Sequence, residues 1–255
     1  MEYLDTLWYL IPLLFVAGVL DSIAGGGGLI ALPAYMLTGM PIHSAYACNK
    51  LQSAAGTATA SFKLIRSGYS DIRVALLALP FTILASHFAT QLVLGLDSEA
   101  IKLIIAICIP ITVVLMFFKR KITGKTLLRQ ELNIKTVALT IVSGLVLGCY
   151  DALFGPGGGT IGMIIFSLLM NYDLLVGNAN SKMIIMTSNI TAAINYTMQG
   201  FMLFHIAIPC AIANMAGNYL GSAIAVKKGD KIVLPTMILV LVFLVGQVVI
   251  GLFQS

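Results

Sequence analysis

Two glycine clusters constrain this chain more than any other feature. Each follows an aspartate closely and each is set in otherwise apolar sequence: DSIAGGGG at 21–28 and DALFGPGGG at 151–159. Glycine is the poorest helix former after proline because ordering it costs the most backbone entropy, so such a cluster marks a place where a regular element stops. The sequence around both clusters is long, apolar and helix-like. At each of these two points one helix must end and another begin.

Composition says in which solvent this happens. The 255 residues are 59% hydrophobic and 10% charged, whereas a soluble domain carries about 25% charged residues. A globular core cannot hide so much apolar surface, and lipid is the natural solvent for the excess. The chain therefore reads as an all-α polytopic membrane protein, with the lipid bilayer as a partner. Its start, MEYLDTLWYLIPLL, is acidic and lacks an early small-residue cleavage site, so no cleavable signal peptide is expected. Cys48, Cys108, Cys149 and Cys210 sit in apolar runs without CxxC spacing and read as small hydrophobes.

Apolar runs bounded by charge cover 8–40 (interrupted by the glycines), 44–66, 72–95 and 99–118. After the polar stretch KRKITGKTLLRQELNIK they cover 136–150, then 160–171, 178–200, 203–226 and 231–252. The two series match element for element at an offset of roughly 130 residues, which is a duplication signal. Asp21 matches Asp151, ACNK at 47–50 matches ANSK at 179–182, and Gly68-Tyr69 matches Gly200-Phe201. Residues 1–118 are thus expected to form a first repeat, 119–135 a basic cytoplasmic linker, and 136–255 a second repeat.

Lys and Arg set the relative orientation. With the linker inside, the basic residues of 63–73, 119–135 and 227–231 share one side, leaving only Lys50, Lys102 and Lys182 elsewhere. Parallel halves would instead carry KKGDK (227–231) outside, so the positive-inside rule favours inverted repeats with both termini outside. The same rule accounts for the net charge of +5 without a nucleic-acid partner. The 29–40 run spans only about 18 Å as a helix, against a hydrocarbon core of about 30 Å. The expected fold is two inverted repeats, each a broken-helix hairpin plus three transmembrane helices. Secondary transporters have this architecture and bind substrate at the repeat interface.

Irregular backbone at membrane depth is tolerated only where it lines a cavity or is buried in protein. Gly25, Gly26, Gly27 and Gly28, and Gly157, Gly158 and Gly159, expose N–H groups, and helices starting at Leu29 and Thr160 would aim their positive ends at one centre. Tight helix crossing is the competing use of such glycines. Asp21, Asp151, Lys50 and Lys182 are the charges that fall within apolar stretches, and a charge there is either paired or functional. The lysines are candidate anion ligands. The aspartates are candidate coupling or ion-pair residues, able to keep a lysine charged and oriented until an anion arrives.

Asn49, Gln52, Ser181 and Asn189 offer neutral donors suited to a small oxyanion, within runs that also hold Ser53, Thr57, Thr187 and Ser188. The same groups suit hydrogen bonding between helices. His87 and Gln91 lie one helical turn apart with no mate in the second half, and His43 and His205 fall near segment ends. There is no HExxH and no evident Cys–His or Ser–His pairing, and three scattered histidines make a poor metal set. No enzyme, metal or cofactor is expected.

The stretches GVLDSIAGGGGLIALPAYMLTGMPIHSAYACNKLQSAAGT and GLVLGCYDALFGPGGGTIGMIIF strongly resemble the TauE/SafE family, also called the sulfite exporter or DUF81-like family. The resemblance covers nearly the whole chain in order. It implies a transporter of the bacterial or archaeal inner membrane that moves sulfite, sulfonates or related organosulfur anions, where the residues alone imply only a small anion. Gly25–Gly28, Gly155–Gly159 with Pro156, Lys50 and Lys182 carry over. Asn180-Ser181-Lys182 departs from Cys48-Asn49-Lys50, an asymmetry that bears on substrate choice.

The function expected is a secondary transporter, an exporter, with the anion held between the glycine breaks. The inside-negative potential already drives an anion out by about 2.3 kcal/mol per charge per 100 mV. An importer would need proton or cation coupling, for which Asp21 and Asp151 are the candidates. An anion channel with the same pore residues, and more remotely an intramembrane enzyme, are the alternatives. The sequence carries no signal of oligomeric state.

Overall fold

The computed structural model describes residues 3–97, 99–101, 129–229, 231–233, 235, 236 and 239. The apolar runs expected at 99–118 and 231–252, and most of the basic linker, lie outside the described residues apart from a few positions. Among the described residues all regular structure is helical. A short 3-10 turn, Leu4–Thr6, leads into α1 (Leu7–Ala24), followed by α2 (Gly28–Met36), α3 (Ile42–Arg66) and α4 (Ile72–Leu94). After the linker come α5 (Ile134–Leu153), α6 (Gly158–Leu169), α7 (Leu174–Met198) and α8 (Phe204–Lys228). Asn133 and Asp173 begin α5 and α7 by accepting the N–H of Thr136 and Val176, each at 2.8 Å.

Length sorts these helices. The segments Leu4–Ala24, Ile72–Leu94 and Ile134–Leu153 are long and apolar enough to cross a membrane. α3, α7 and α8 have 25 residues each, about 37 Å, but carry more polar side chains. α2 and α6 have 9 and 12 residues, about 14 and 18 Å, too short for a core of about 30 Å. Polarity is distributed inside out. Asn49, Lys50, Lys182, Ser188 and Asn214 are buried, while Trp8, Ile83, Phe88, Ile194 and Ile212 are exposed. Water would impose the reverse. The chain is an all-helical polytopic membrane protein.

α3 and α7 pack on each other at the centre. α8 packs against α1 and α3, and α4 against α5 and α7. Two GxxxG pairs bring the outer helices close. A Cβ on Gly217 or Gly221 of α8 would lie 2.1 Å from the Phe15 carbonyl oxygen or from Ser22 Oγ on α1. On Gly144 or Gly148 of α5 it would lie 2.8 or 2.9 Å from the Ala78 or Thr82 carbonyl oxygen on α4. Small residues at this spacing let helix backbones approach in lipid. The spacing is legible in the sequence, though the longer glycine clusters draw attention away from it.

A polar clasp closes one end of the bundle. The buried Asp71 carboxylate accepts from the Gln130 N–H at 2.9 Å, the Tyr172 hydroxyl at 3.0 Å and Arg73 Nε at 3.2 Å. Its own N–H donates to Asn180 Oδ1 at 2.9 Å. Burial works to raise the Asp71 carboxyl. The Gln130, Arg73 and Tyr172 hydrogen bonds and the Arg73 charge outweigh it and hold the group below its usual value. Burial, joined by the facing Asp71 charge, pushes the Tyr172 phenol well above its usual value. One carboxylate so ties the turn before α4 to the linker and to the turn before α7.

Candidate functional site

Both helix breaks arrive at the same place. Gly25 turns the chain at φ +79° after α1, its N–H donating to the Asp21 carbonyl at 2.7 Å. Gly155 (φ +83°) and Gly157 (φ +80°) do so after α5. Left-handed backbone suits glycine because it has no Cβ to clash. A Cβ on Gly25 would lie 2.3 Å from Gly159 C, and one on Gly159 would lie 2.7 Å from Gly25 Cα. The two breaks therefore touch backbone to backbone. Thr160 Oγ1 seals the contact by donating to the Ala24 carbonyl at 2.6 Å.

The helices after the breaks begin at Gly28 and Gly158 rather than at Leu29 and Thr160. The first N–H groups of a helix have no intrahelical partner in any case, so glycine costs little in a first turn. There is also a steric reason at Gly28, where a Cβ would sit 3.0 Å from Pro156 Cα.

Around this contact each membrane aspartate meets the lysine of the other half. Lys50 Nζ lies 3.1 Å from Asp151 Oδ2, and Lys182 Nζ lies 2.5 Å from Asp21 Oδ2. Both lysines are wholly buried. Such charges are tolerable only when paired and hydrogen-bonded. The sequence marks the four residues as repeat mates, and the fold crosses the pairing. Lys50 also donates to the Asp151 carbonyl oxygen. Asp21 Oδ1 accepts the Gly27 N–H at 3.3 Å, so the positive end of α2 already faces a carboxylate.

Between the breaks lies a polar cavity of about 20 Å³, room for about one water molecule. Its floor includes Asp21, Asp151, Gly25, Gly28 and Gly159. α3 contributes Asn49, Ser53 and Thr57, spaced one turn apart, and α7 contributes Ile185 and Asn189. Of the residues proposed from sequence, Asp21, Asp151, Gly25, Gly28, Asn49, Gly155, Gly159 and Asn189 line the cavity.

The others act at one remove. Lys50 and Lys182 do not line the cavity; the carboxylates they hold do. Gln52 donates to Asn49 Oδ1 at 3.0 Å and Ser53 Oγ at 2.9 Å, orienting two lining groups. Ser181 donates to the Gly159 carbonyl at 3.1 Å and so braces the second break. Gly26, Gly27, Gly157 and Gly158 form the turns without facing the cavity, although a Cβ on Gly158 would lie 3.3 Å from Asp151 Oδ1.

Ser53 and Thr57 could have been singled out by their one-turn spacing from Asn49. Ile185 carries no polar signal and is found only in three dimensions. His87 Nδ1 lies 3.1 Å from Asn195 Oδ1, tying α4 to α7 rather than reaching the cavity. Among the described residues no group of three His, Cys, Asp or Glu side chains gathers as a metal site. The arrangement brings two charge pairs, hydroxyl and amide side chains and the start of α2 together around one small cavity.

Comparison with known proteins gives the family. The sequence matches the family described as sulfite exporter TauE/SafE over residues 10–248. It is 28% identical over 248 residues to the probable membrane transporter protein YfcA of Escherichia coli (strain K12), covering 94% of this chain and 91% of that protein. It is 29% identical to a probable membrane transporter protein of Haemophilus influenzae, covering 96% of this chain and 95% of that one. It is 30% identical to the probable membrane transporter protein ORF9 of Sinorhizobium sp, covering 89% and 85%. No solved structure matches the chain.

Proposed function

The chain belongs to the sulfite exporter TauE/SafE family and is a membrane transporter rather than an enzyme, and from that premise we propose that it is a secondary transporter of a small anion bound between the two glycine breaks. The observation that carries the reading is the pair of breaks in backbone contact, flanked by crossed and buried Asp–Lys pairs around a polar cavity. Supporting an anion is Lys182, whose charge is balanced by the Asp21 carboxylate on the cavity wall and could be passed to a substrate.

The halves 1–118 and 136–255 are read as inverted repeats with both termini outside a prokaryotic inner membrane; because α8 packs on α1 and α3, and α5 on α4, the bodies that move would each mix helices of both repeats. With room for about one water molecule, the cavity has to widen around the breaks to pass a sulfite ion. That need favours alternating access over a channel. The family description supports sulfite, a sulfonate or a related organosulfur anion as substrate, and the membrane potential favours export. Were the direction inward, Asp21 and Asp151 would be the groups to take up coupling protons or cations.

The test is movement of radiolabelled sulfite, sulfoacetate and sulfate in proteoliposomes by the wild type and by a folded Lys182→Met variant. Saturable transport of one anion, lost in the variant, is the expected result. If the wild type moves none of the three, the sulfur assignment falls. If the variant keeps pace with the wild type, the site assignment falls.

A further inference from the structure

The two charge pairs are matched in sequence but held differently. Lys50 has two oxygens of one residue, Asp151 Oδ2 and the Asp151 carbonyl. That carbonyl belongs to the last turn of α5, where helix carbonyls lack intrahelical partners and attract cations. Lys50 therefore serves as the cap of a broken helix. At the end of α1 the same task falls to a neutral group. Asn178 Nδ2 donates to the Ser22 carbonyl at 2.9 Å and the Ile23 carbonyl at 3.2 Å.

This division leaves Lys182 free of capping. Among the described residues its one hydrogen-bond and ion-pair partner is the Asp21 carboxylate. The carboxylates differ as well, Asp21 being 16% exposed and Asp151 3%. Should Lys182 turn away, Asp21 keeps the Gly27 N–H at the start of α2, a position that favours a carboxylate. Should Lys50 turn away, Asp151 keeps the Ser188 hydroxyl, but the last turn of α5 loses its cap, a cost that has no counterpart at Lys182.

From this contrast we infer that the pairs have separate duties. Asp21–Lys182 is the pair that opens, Lys182 exchanging the Asp21 carboxylate for the substrate anion. Lys50–Asp151 is a fixed strap that holds the second break in shape. The exchange rests on the transport reading above for there being a substrate anion to receive Lys182. The difference in how firmly the two lysines are held does not depend on it.

Reductive methylation of the intact protein in liposomes tests the division, since an amine is modified only when its pair opens. Mass spectrometry then gives a rate for each lysine. The wild type is expected to methylate at Lys182 at least tenfold faster than at Lys50. Asp21→Asn should raise the Lys182 rate further, and Asp151→Asn should leave it unchanged. Equal rates at the two lysines, a faster Lys50, or no modification of either overturns the assignment. Sulfoacetate added during the reaction should protect Lys182 alone. If Lys182 is still the faster but sulfoacetate gives no protection, the division of duties stands and the choice of a sulfonate fails.

Discussion

Replacing Gly25 by alanine separates two reasons for a glycine at the first break. One is the backbone: φ of +79° costs an L-residue about 1–2 kcal/mol. The other is the neighbour, because the new Cβ would lie 2.3 Å from Gly159 C and from Thr160 N. Backbone cannot swing aside as a side chain can, and overpacking of this kind costs about 1–3 kcal/mol. Together they predict a loss of about 2–5 kcal/mol, or about 4–20 °C in melting temperature at about 2–4 °C per kcal/mol for a chain of this size.

Two controls isolate the parts. Gly200 has φ +78° with nothing within 4 Å of an added Cβ, so Gly200→Ala carries the backbone strain alone. Gly159, in the first turn of α6, would place its Cβ 2.7 Å from Gly25 Cα without a positive φ, so Gly159→Ala carries the contact alone. Melting in detergent can be followed with a thiol-reactive dye, since Cys48 and Cys210 are buried until the protein unfolds. Gly25→Ala should melt lowest of the three. If it melts no lower than Gly200→Ala, contact between the breaks is not what demands glycine, and the picture of two breaks built against each other is refuted.

Two further variants test other parts of the structure. Asp71→Asn removes a carboxylate that accepts from Gln130, Arg73 and Tyr172, a loss of about 1.5–3 kcal/mol for hydrogen bonds to a charged group. Because the folded Asp71 titrates below its usual value, its contribution is complete above about pH 4 and fades as pH falls through the lower folded value. The variant should thus melt lower at neutral pH but lose less on acidification, as thermal melts across pH will show. Ile185→Ser puts a hydroxyl on the cavity wall that Ser53 also lines and removes its hydrocarbon face. A hydrophobic contact of this size is worth about 1–3 kcal/mol in discrimination. Sulfate should then compete against labelled sulfite about tenfold better relative to methanesulfonate, measured as inhibition of transport.

The helical class, the membrane setting and the positions of both breaks were legible because each rests on local signals. Glycine clusters interrupt helices wherever they fall, and long apolar runs with few charges have only lipid as a solvent. The four membrane charges were legible for a related reason, since each stands out against its apolar surroundings. What local reasoning could not supply was partnership. Asp21 and Lys182 are 161 residues apart, as are few pairs that sequence spacing could suggest, and the two acids and two lysines allow more than one pairing. Ile185 was hidden for the opposite reason, being an apolar residue among apolar residues. Asn178 was unremarkable until the end of α1 was seen to need a donor for its carbonyls.

The crossed pairing bears on how such a protein avoids leaking. Each aspartate and its lysine lie on opposite sides of the linker, one before residue 119 and one after 135. Under the proposed division of duties, drawing the Asp21 break away from α7 to open the cavity must therefore stretch or break the Asp21–Lys182 pair, while Lys50–Asp151 stays closed. Leaving a buried charge without its partner costs about 3–5 kcal/mol, which at 1.4 kcal/mol per factor of ten suppresses opening on the order of 10²–10⁴-fold. Under the proposed transport reading, an anion that reaches Lys182 supplies the partner that the movement takes away. Opening is then affordable with substrate bound and rare without it. A lysine left bare in the cavity would bind an anion more tightly but would impose no such condition on the movement, so its burial against an acid of the other half is what joins binding to motion.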